Sequence, residues 1–277
     1  MTVRKNQANL TAAEKKAFTD AVVEVKRRGV YDEFVTMHRT RFIQDMNPAH
    51  IRTGHNTPSF LPWHRQYLIA FERELQKVQW GVSIPYWDWT TARSRTASPW
   101  TPDLLGGAGR DGDSQVMDGP FAHSTGNWPI TVQTDTHPFL RRTLGGTYPL
   151  PLQSDVDQAM AQSTYDAPPW DESAPGFRNT LEGNQGAWLH NQVHIWVGGQ
   201  MAQPVSPNDP VFWLHHAFVD KLWADWQRRY PGSSAYLPTG NTAGVVDLNE
   251  PMAPWDSGPN PVTPAHMLDH TRYYTYA

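Results

Sequence analysis

The sequence predicts a mainly α-helical fold with long loops and a few short strands. Apolar residues recur at spacings of three and four in several segments, which is the pattern of helices with one buried face. Residues 81–180, in contrast, are rich in Pro, Gly, Asp, Ser and Thr, and the tail from Leu237 onward is irregular again. Because no repeat or Ser/Gly linker divides the chain, we expect residues 1–277 to form a single domain.

Five helices can be placed from this pattern. Residues 11–42 read as two consecutive helices that meet near Gly29, where the periodicity is interrupted. A third helix should begin around Pro62, since proline suits the first turn of a helix. Two more are predicted at residues 189–197 and from about residue 210 to 229.

Composition excludes several classes of function. The formal net charge of −4 gives no basic excess, so nucleic acid and anionic membrane surfaces are poor partners. The absence of cysteine excludes disulfides, thiolate metal sites and cysteine nucleophiles. Neither a secretion signal nor an apolar stretch of about 18 residues is found, so we expect no export signal and no membrane span in this chain.

Six of the 12 histidines fall into two groups of three. In the first group, His38 and His64 share predicted helix faces with apolar residues, and His55 lies in the loop before the second of these helices. In the second group, His190 and His194 are four residues apart, hence one helical turn apart. The next helix would complete this group with His215 or His216.

Periodicity does not choose between these last two residues, because the faces of both are apolar. A single histidine on an apolar face is more often a hydrogen-bonded core residue than a metal ligand. Three imidazoles without carboxylate or thiolate suit copper, zinc, iron or nickel, whereas calcium and magnesium need oxygen ligands. A pair of three-histidine sites points to copper. The chain lacks Glu-x-x-His repeats and His-Glu-x-x-His, which disfavours a diiron bundle and a zinc protease.

Two segments resemble the copper signatures of tyrosinases. Residues 55–72, HNTPSFLPWHRQYLIAFE, resemble the first signature along their whole length. Residues 209–220, DPVFWLHHAFVD, resemble the second, in which the ligand lies four residues before the final aspartate. The likeness to bacterial tyrosinases of the Streptomyces type extends over nearly the whole chain.

The resemblance implies a central four-helix bundle that holds a dinuclear copper site, with dioxygen bound between the metals as peroxide. One copper would be bound by His38, His55 and His64, and the other by His190, His194 and His216. The signature thus selects His216, which makes His215 a packed neighbour. Many relatives bond a cysteine to the loop histidine of the first site, so in this chain His55 must be held by packing and hydrogen bonds.

The activity implied is that of a copper-containing monophenol monooxygenase and o-diphenol oxidase, which converts phenols to o-quinones as in melanin formation. The resemblance nominates Glu182 and Asn191 to hold a water that takes part in deprotonating the phenol. It also places Ile195 in the wall of the substrate pocket, so we expect no strong demand for an acidic substrate. Alternatives are an o-aminophenol oxidase or catechol oxidase on the same scaffold, a haemocyanin-like oxygen carrier and a zinc hydrolase.

The resemblance also implies a partner. Many longer relatives cover the copper site with a C-terminal domain, whereas this sequence ends shortly after the core. Streptomyces tyrosinases use a small caddie protein that delivers copper and carries the export signal. We therefore expect a caddie-type partner and secretion together with it, with a cytoplasmic location as the alternative.

Overall fold

Seven α-helices and two short strands form the regular structure of residues 2–277, the part of the chain described by this computed structural model. The mainly helical fold predicted from the sequence is confirmed. The elements, in chain order, are β1 (Thr2–Arg4), α1 (Ala12–Arg27), α2 (Val30–Asp45), α3 (Phe60–Val78), α4 (Gln153–Met160), α5 (Phe177–Glu182), α6 (Leu189–Val197), α7 (Val211–Arg229) and β2 (Tyr274–Tyr276).

The first two helices confirm the predicted break at Gly29. Helix α1 begins with a capping box in which the Thr11 hydroxyl accepts a hydrogen bond from the Glu14 amide at 3.2 Å, and the Glu14 carboxylate accepts one from the Thr11 amide at 2.9 Å. Gly29 follows α1 with a φ of 78°, in the left-handed region that favours glycine. The chain therefore changes direction there and starts α2 at once.

Helices α3 and α7 pack against each other at the centre of the molecule. The rings of Phe71 and Trp213 stack with centroids 3.7 Å apart, and the ring of Tyr67 also stacks on that of Trp213, with centroids 4.9 Å apart. A buried ion pair adds to this packing, since the Arg65 guanidinium donates to the Asp220 carboxylate at 2.5 Å. Together these contacts fix how α3 and α7 lie relative to each other.

The two strands join the ends of the described chain. Strands β1 and β2 are parallel, with Thr2 paired to Tyr274. The Arg4 side chain, which is completely buried, donates to Glu72 at 2.9 Å and lies 3.5 Å from the centre of the Tyr274 ring. Tyr274 also donates a hydrogen bond to Asp220, so both ends of the chain are attached to α3 and α7.

Residues 81–180 consist mainly of long loops. Their regular structure is limited to short helical segments such as α4 and to isolated bridges such as that between Gly109 and Val116. The buried Arg142 side chain holds this loop region in place, because it donates to both carboxylate oxygens of Asp209 at 2.6 and 2.8 Å and to the Leu105 carbonyl at 2.7 Å. Charged and backbone hydrogen bonds therefore stabilise this loop region. None of the helices within residues 2–277 combines the length and apolar character needed to cross a bilayer.

Candidate metal centre

Four helices and one loop bring the histidines of interest into two clusters. Helix α2 supplies His38, α3 supplies His64, and the loop between them supplies His55. The second cluster comes from α6 and α7 and comprises His190, His194, His215 and His216. Within each cluster, one nitrogen of every ring lies within 4.8 Å of the corresponding nitrogens of the others.

Three rings of the second cluster have the spacing of a metal site. The Nε2 atoms of His190 and His194 are 3.0 Å apart, and each is 3.3 Å from Nε2 of His216. Nitrogens that bind one metal at about 2.0 Å in a tetrahedral arrangement lie roughly 3.3 Å from each other. The triangle of these three atoms could therefore hold one ion with little movement.

Hydrogen bonds from Nδ1, the ring nitrogen that does not face the other members of the cluster, orient most of these imidazoles. In the first cluster, Nδ1 of His38 donates to the Pro204 carbonyl at 2.9 Å, and Nδ1 of His64 donates to the Phe60 carbonyl at 2.9 Å. Because a carbonyl can only accept, Nδ1 carries the proton and the Nε2 lone pair is left for a metal. Nε2 of His64 is buried and has no hydrogen-bond partner.

The second cluster shows the same arrangement on α6. Nδ1 of His194 donates to the Met201 carbonyl at 2.7 Å, and Nδ1 of His190 donates to the Glu182 carbonyl at 3.1 Å. Nδ1 of His216 is buried without such a partner. Two rings of this cluster are thus fixed by backbone acceptors, and the third is fixed by its packing in α7.

Asp45 holds the loop histidine, and sequence reasoning did not identify it. Its Oδ2 atom lies 3.1 Å from Nδ1 of His55 and accepts the Gly54 amide at 3.0 Å, while Oδ1 accepts the Thr53 amide at 2.8 Å. The Asp45 side chain is fully buried at the end of α2. Its position seven residues after His38, hence on the same helix face, was the available signal.

The two clusters face each other across α3 and α7. The rings of His64 and His216 are nearly parallel, with an interplanar angle of 11° and centroids 4.3 Å apart. The ion pair between Arg65 and Asp220 joins the same two helices next to these rings. The packing of α3 against α7 therefore sets the distance between the clusters.

His215 lies in the second cluster as well. Its ring stacks on that of His190 with centroids 5.1 Å apart, and both of its nitrogens are buried without a hydrogen-bond partner. The compact triangle of Nε2 atoms contains His216 and favours it as the ligand.

Burial favours the neutral form of most of these imidazoles. Desolvation lowers the pKa of His38, His64, His190 and His216 well below the ordinary value of 6.5, and lowers the pKa of His194 to about 4. A neutral imidazole offers a lone pair, as metal binding requires.

A cavity of about 500 Å³ opens onto both clusters. Its lining includes the expected Asn191 and Ile195 together with Phe42 and Trp188, and it contains no Lys, Arg, Asp or Glu side chain within the described residues. Glu182 lies outside this lining and is buried. The cavity can therefore admit a neutral aromatic molecule to the imidazole edges.

The carboxylate of Glu182 is held by two neighbours. It accepts the Asn56 amide at 2.6 Å and the Arg178 guanidinium at 2.9 Å. Burial raises its pKa, although Arg178 acts in the opposite direction. The catalytic role expected for Glu182 and Asn191 stays a prediction.

Comparison with known proteins identifies the family. The model for the common central domain of tyrosinase matches residues 28–229. The chain is 60% identical over 277 residues to a tyrosinase of Streptomyces antibioticus, and this match covers 100% of the chain and 99% of the relative. The chain belongs to the tyrosinase family. It is an oxidoreductase of this family, as the sequence predicted.

Two further proteins are similar to the chain. The chain is 43% identical over 308 residues to grixazone synthase of Streptomyces griseus, covering 99% of the chain and 98% of that protein. The structure of a polyphenol oxidase from Thermothelomyces thermophila is similar to this fold, with a TM-score of 0.70 and 22% sequence identity. The match covers 100% of this chain and 89% of the polyphenol oxidase chain. That structure supports the fold.

Membership of the tyrosinase family implies a dinuclear copper site, and the residues present fit it. The donors are imidazoles, which suit copper. The unpartnered Nε2 of His64 and the spacing of the second triangle each provide a place for an ion.

Proposed function

We propose that the protein is a tyrosinase that uses dioxygen to oxidise monophenols and o-diphenols to o-quinones, as in melanin formation. One monophenol and one O₂ give one o-quinone and one water, and two o-diphenols and one O₂ give two o-quinones and two waters. The observation that carries the proposal is the pair of histidine trios that face each other across α3 and α7 beneath an open, uncharged cavity.

Copper ions would be held by these two trios. We assign His38, His55 and His64 to one ion and His190, His194 and His216 to the other, with dioxygen bound between the two ions. When bound, a pair of cuprous ions supplies the two electrons that activate one O₂ molecule. The protein contributes imidazole ligands in fixed orientations and a core that sets the spacing of the trios.

The phenol must also lose a proton, because its pKa is near 10. Asn191 lines the cavity, and its side-chain amide donates to Asn184 at 3.3 Å. The Glu182 carbonyl accepts a hydrogen bond from Nδ1 of His190, and its carboxylate oxygens have lone pairs beyond those used by Asn56 and Arg178. We assign to Glu182 and Asn191 the orientation of a water molecule that accepts this proton.

Substrate assays test the proposal against its nearest alternative. The second candidate is an o-aminophenol oxidase or a catechol oxidase, because the chain is also similar to grixazone synthase, which is not named as a tyrosinase. The copper-loaded protein should oxidise tyrosine and catechol with uptake of O₂. Turnover of an o-aminophenol or catechol without any turnover of tyrosine would favour the second candidate, and reversible O₂ binding without phenol oxidation would indicate an oxygen carrier.

We also propose a caddie-type partner that delivers copper and carries the export signal. Large apolar side chains close to the cavity residues in sequence are exposed, namely Ile43 (51%), Met46 (46%) and Ile51 (55%). Exposed apolar side chains are common contact points in protein interfaces, and we assign these three to the contact with such a partner. Expression with and without a candidate partner should change the copper content of the purified chain and the fraction found in the medium. Equal values in both cases would contradict this proposal.

A further inference from the structure

Trp188 occupies an unusual position at the mouth of the cavity. It precedes α6 with φ 54° and ψ 29°, the left-handed conformation that bulky residues rarely adopt. Its side chain lines the cavity and is 44% exposed. An exposed tryptophan held in a strained conformation beside a reaction site is a candidate for a binding role.

The local backbone is shaped to hold Trp188 there. A side chain on Gly183 would come within 2.7 Å of the Trp188 carbonyl, so only glycine lets the loop fold back this closely. The same Trp188 carbonyl accepts the Gln192 amide at 2.6 Å in the first turn of α6. The tryptophan is thereby attached to the helix that carries His190 and His194.

Tyr148 supports Trp188 from a neighbouring loop. The two rings meet edge to face with centroids 5.7 Å apart, and Tyr148 is also exposed, at 45%. The Tyr148 loop is bound along α6, since the Gly145 amide donates to the Trp196 carbonyl at 2.9 Å. Tyr148, on a loop that is hydrogen-bonded to α6, thus packs against Trp188 and limits its movement.

The size and charge of the cavity indicate what the pair could bind. Its volume of about 500 Å³ is in the range of sites that hold drug-sized ligands, which is more than one phenol ring needs. Its polar lining consists of imidazoles, a hydroxyl and the amides of Asn184, Asn191 and Gln203. Because the lining has no charged side chain, the ammonium and carboxylate of free tyrosine would find no ionic partner there.

We propose that Trp188, supported by Tyr148, is a stacking platform for the second ring of neutral two-ring phenols, so that the enzyme prefers them to free tyrosine. This inference rests on the proposed phenol oxidase function. The first ring would reach the histidine trios, and the second would pack on the indole at the mouth. Aromatic pairs of this kind contribute enough binding energy for about a three- to tenfold change in affinity.

The test compares 4-benzylphenol, p-cresol and tyrosine as substrates of the copper-loaded protein. In the unaltered protein, KM should be lowest for 4-benzylphenol. Trp188→Ala should raise that KM about three- to tenfold with little change in kcat, and should leave KM for p-cresol within about twofold. Trp188→Phe should retain part of the preference. Trp80→Ala is the matched control, since Trp80 is 94% exposed and lines a different cavity.

Equal KM changes for 4-benzylphenol and p-cresol, or no change for either, would overturn the inference. Calorimetric measurement of 4-benzylphenol binding without O₂ tests the Trp188 platform independently of the proposed function, because binding needs no turnover. Weaker binding in Trp188→Ala than in Trp80→Ala supports the platform even if p-cresol is not oxidised. Equal binding in both variants refutes the platform even if p-cresol is oxidised normally.

Discussion

Replacing Asp45 with Asn should weaken one copper site and leave the other intact. The Asp45 carboxylate accepts from the Thr53 amide on one oxygen and from Gly54 and His55 on the other. An asparagine has only one accepting oxygen, so at least one of these groups loses its partner. Loss of a hydrogen-bonding partner to a ligating histidine typically reduces metal affinity about 10- to 100-fold, which is about 1.4 to 2.8 kcal/mol.

Titration with a copper chelator measures this effect. The unaltered protein should release its copper in steps that belong to the two trios, and Asp45→Asn should shift only the step of the trio that contains His55. The matched control is Asp225→Asn, because Asp225 is ion-paired with Lys221 and Arg228 on α7 and its side chain is 24% exposed. An unchanged titration, or an equal shift of both steps, would refute the role assigned to Asp45.

Three other predictions follow from the same structure. His194→Ala should abolish phenol oxidation while the helical circular dichroism spectrum stays the same, because a ligand is lost without a large apolar side chain; retained oxidation would contradict the assignment. Glu182→Gln should slow tyrosine turnover more than catechol turnover, and equal slowing would argue against a role in deprotonating monophenols. Asp220→Asn should lower the free energy of unfolding by about 3 to 5 kcal/mol in denaturant titrations, since Arg4 and Arg65 remain buried without their charge partner. Burial acts to raise the pKa of Asp220, but the two arginines hold this pKa below its ordinary value of 3.8. The contribution of Asp220 to stability is therefore complete above about pH 4 and is lost as the pH falls through the lowered pKa. If the unaltered protein and Asp220→Asn gave the same acid unfolding curve, this prediction would be wrong.

The histidine trios could be predicted largely from local sequence. Helical periodicity placed His38, His64, His190 and His194 on buried faces, because a helix face is determined by residues three and four apart. The loop residue His55 and the choice of His216 depended on the resemblance to tyrosinase signatures, since neither follows from periodicity. The assignment of all six as ligands stays a prediction, although the structure brings them together.

Long-range partners could not be predicted in the same way. The pairing of Thr2 with Tyr274 joins residues at opposite ends of the chain, and Arg142 meets Asp209 across 67 positions. No local pattern encodes such contacts, because they depend on how the helices pack. The tail was therefore expected to be irregular where it forms β2. Nor does the composition of the middle of the chain reveal that a buried arginine, Arg142, holds its loops in place.

The central claim is that the two histidine trios each bind one copper ion. A crystal structure of the copper-loaded protein, with the metals located by anomalous scattering at the copper edge, tests it most directly. We predict two copper peaks, one bonded to His38, His55 and His64 and the other to His190, His194 and His216. A single peak, or copper bound to other side chains such as His215 in place of His216, would contradict the account.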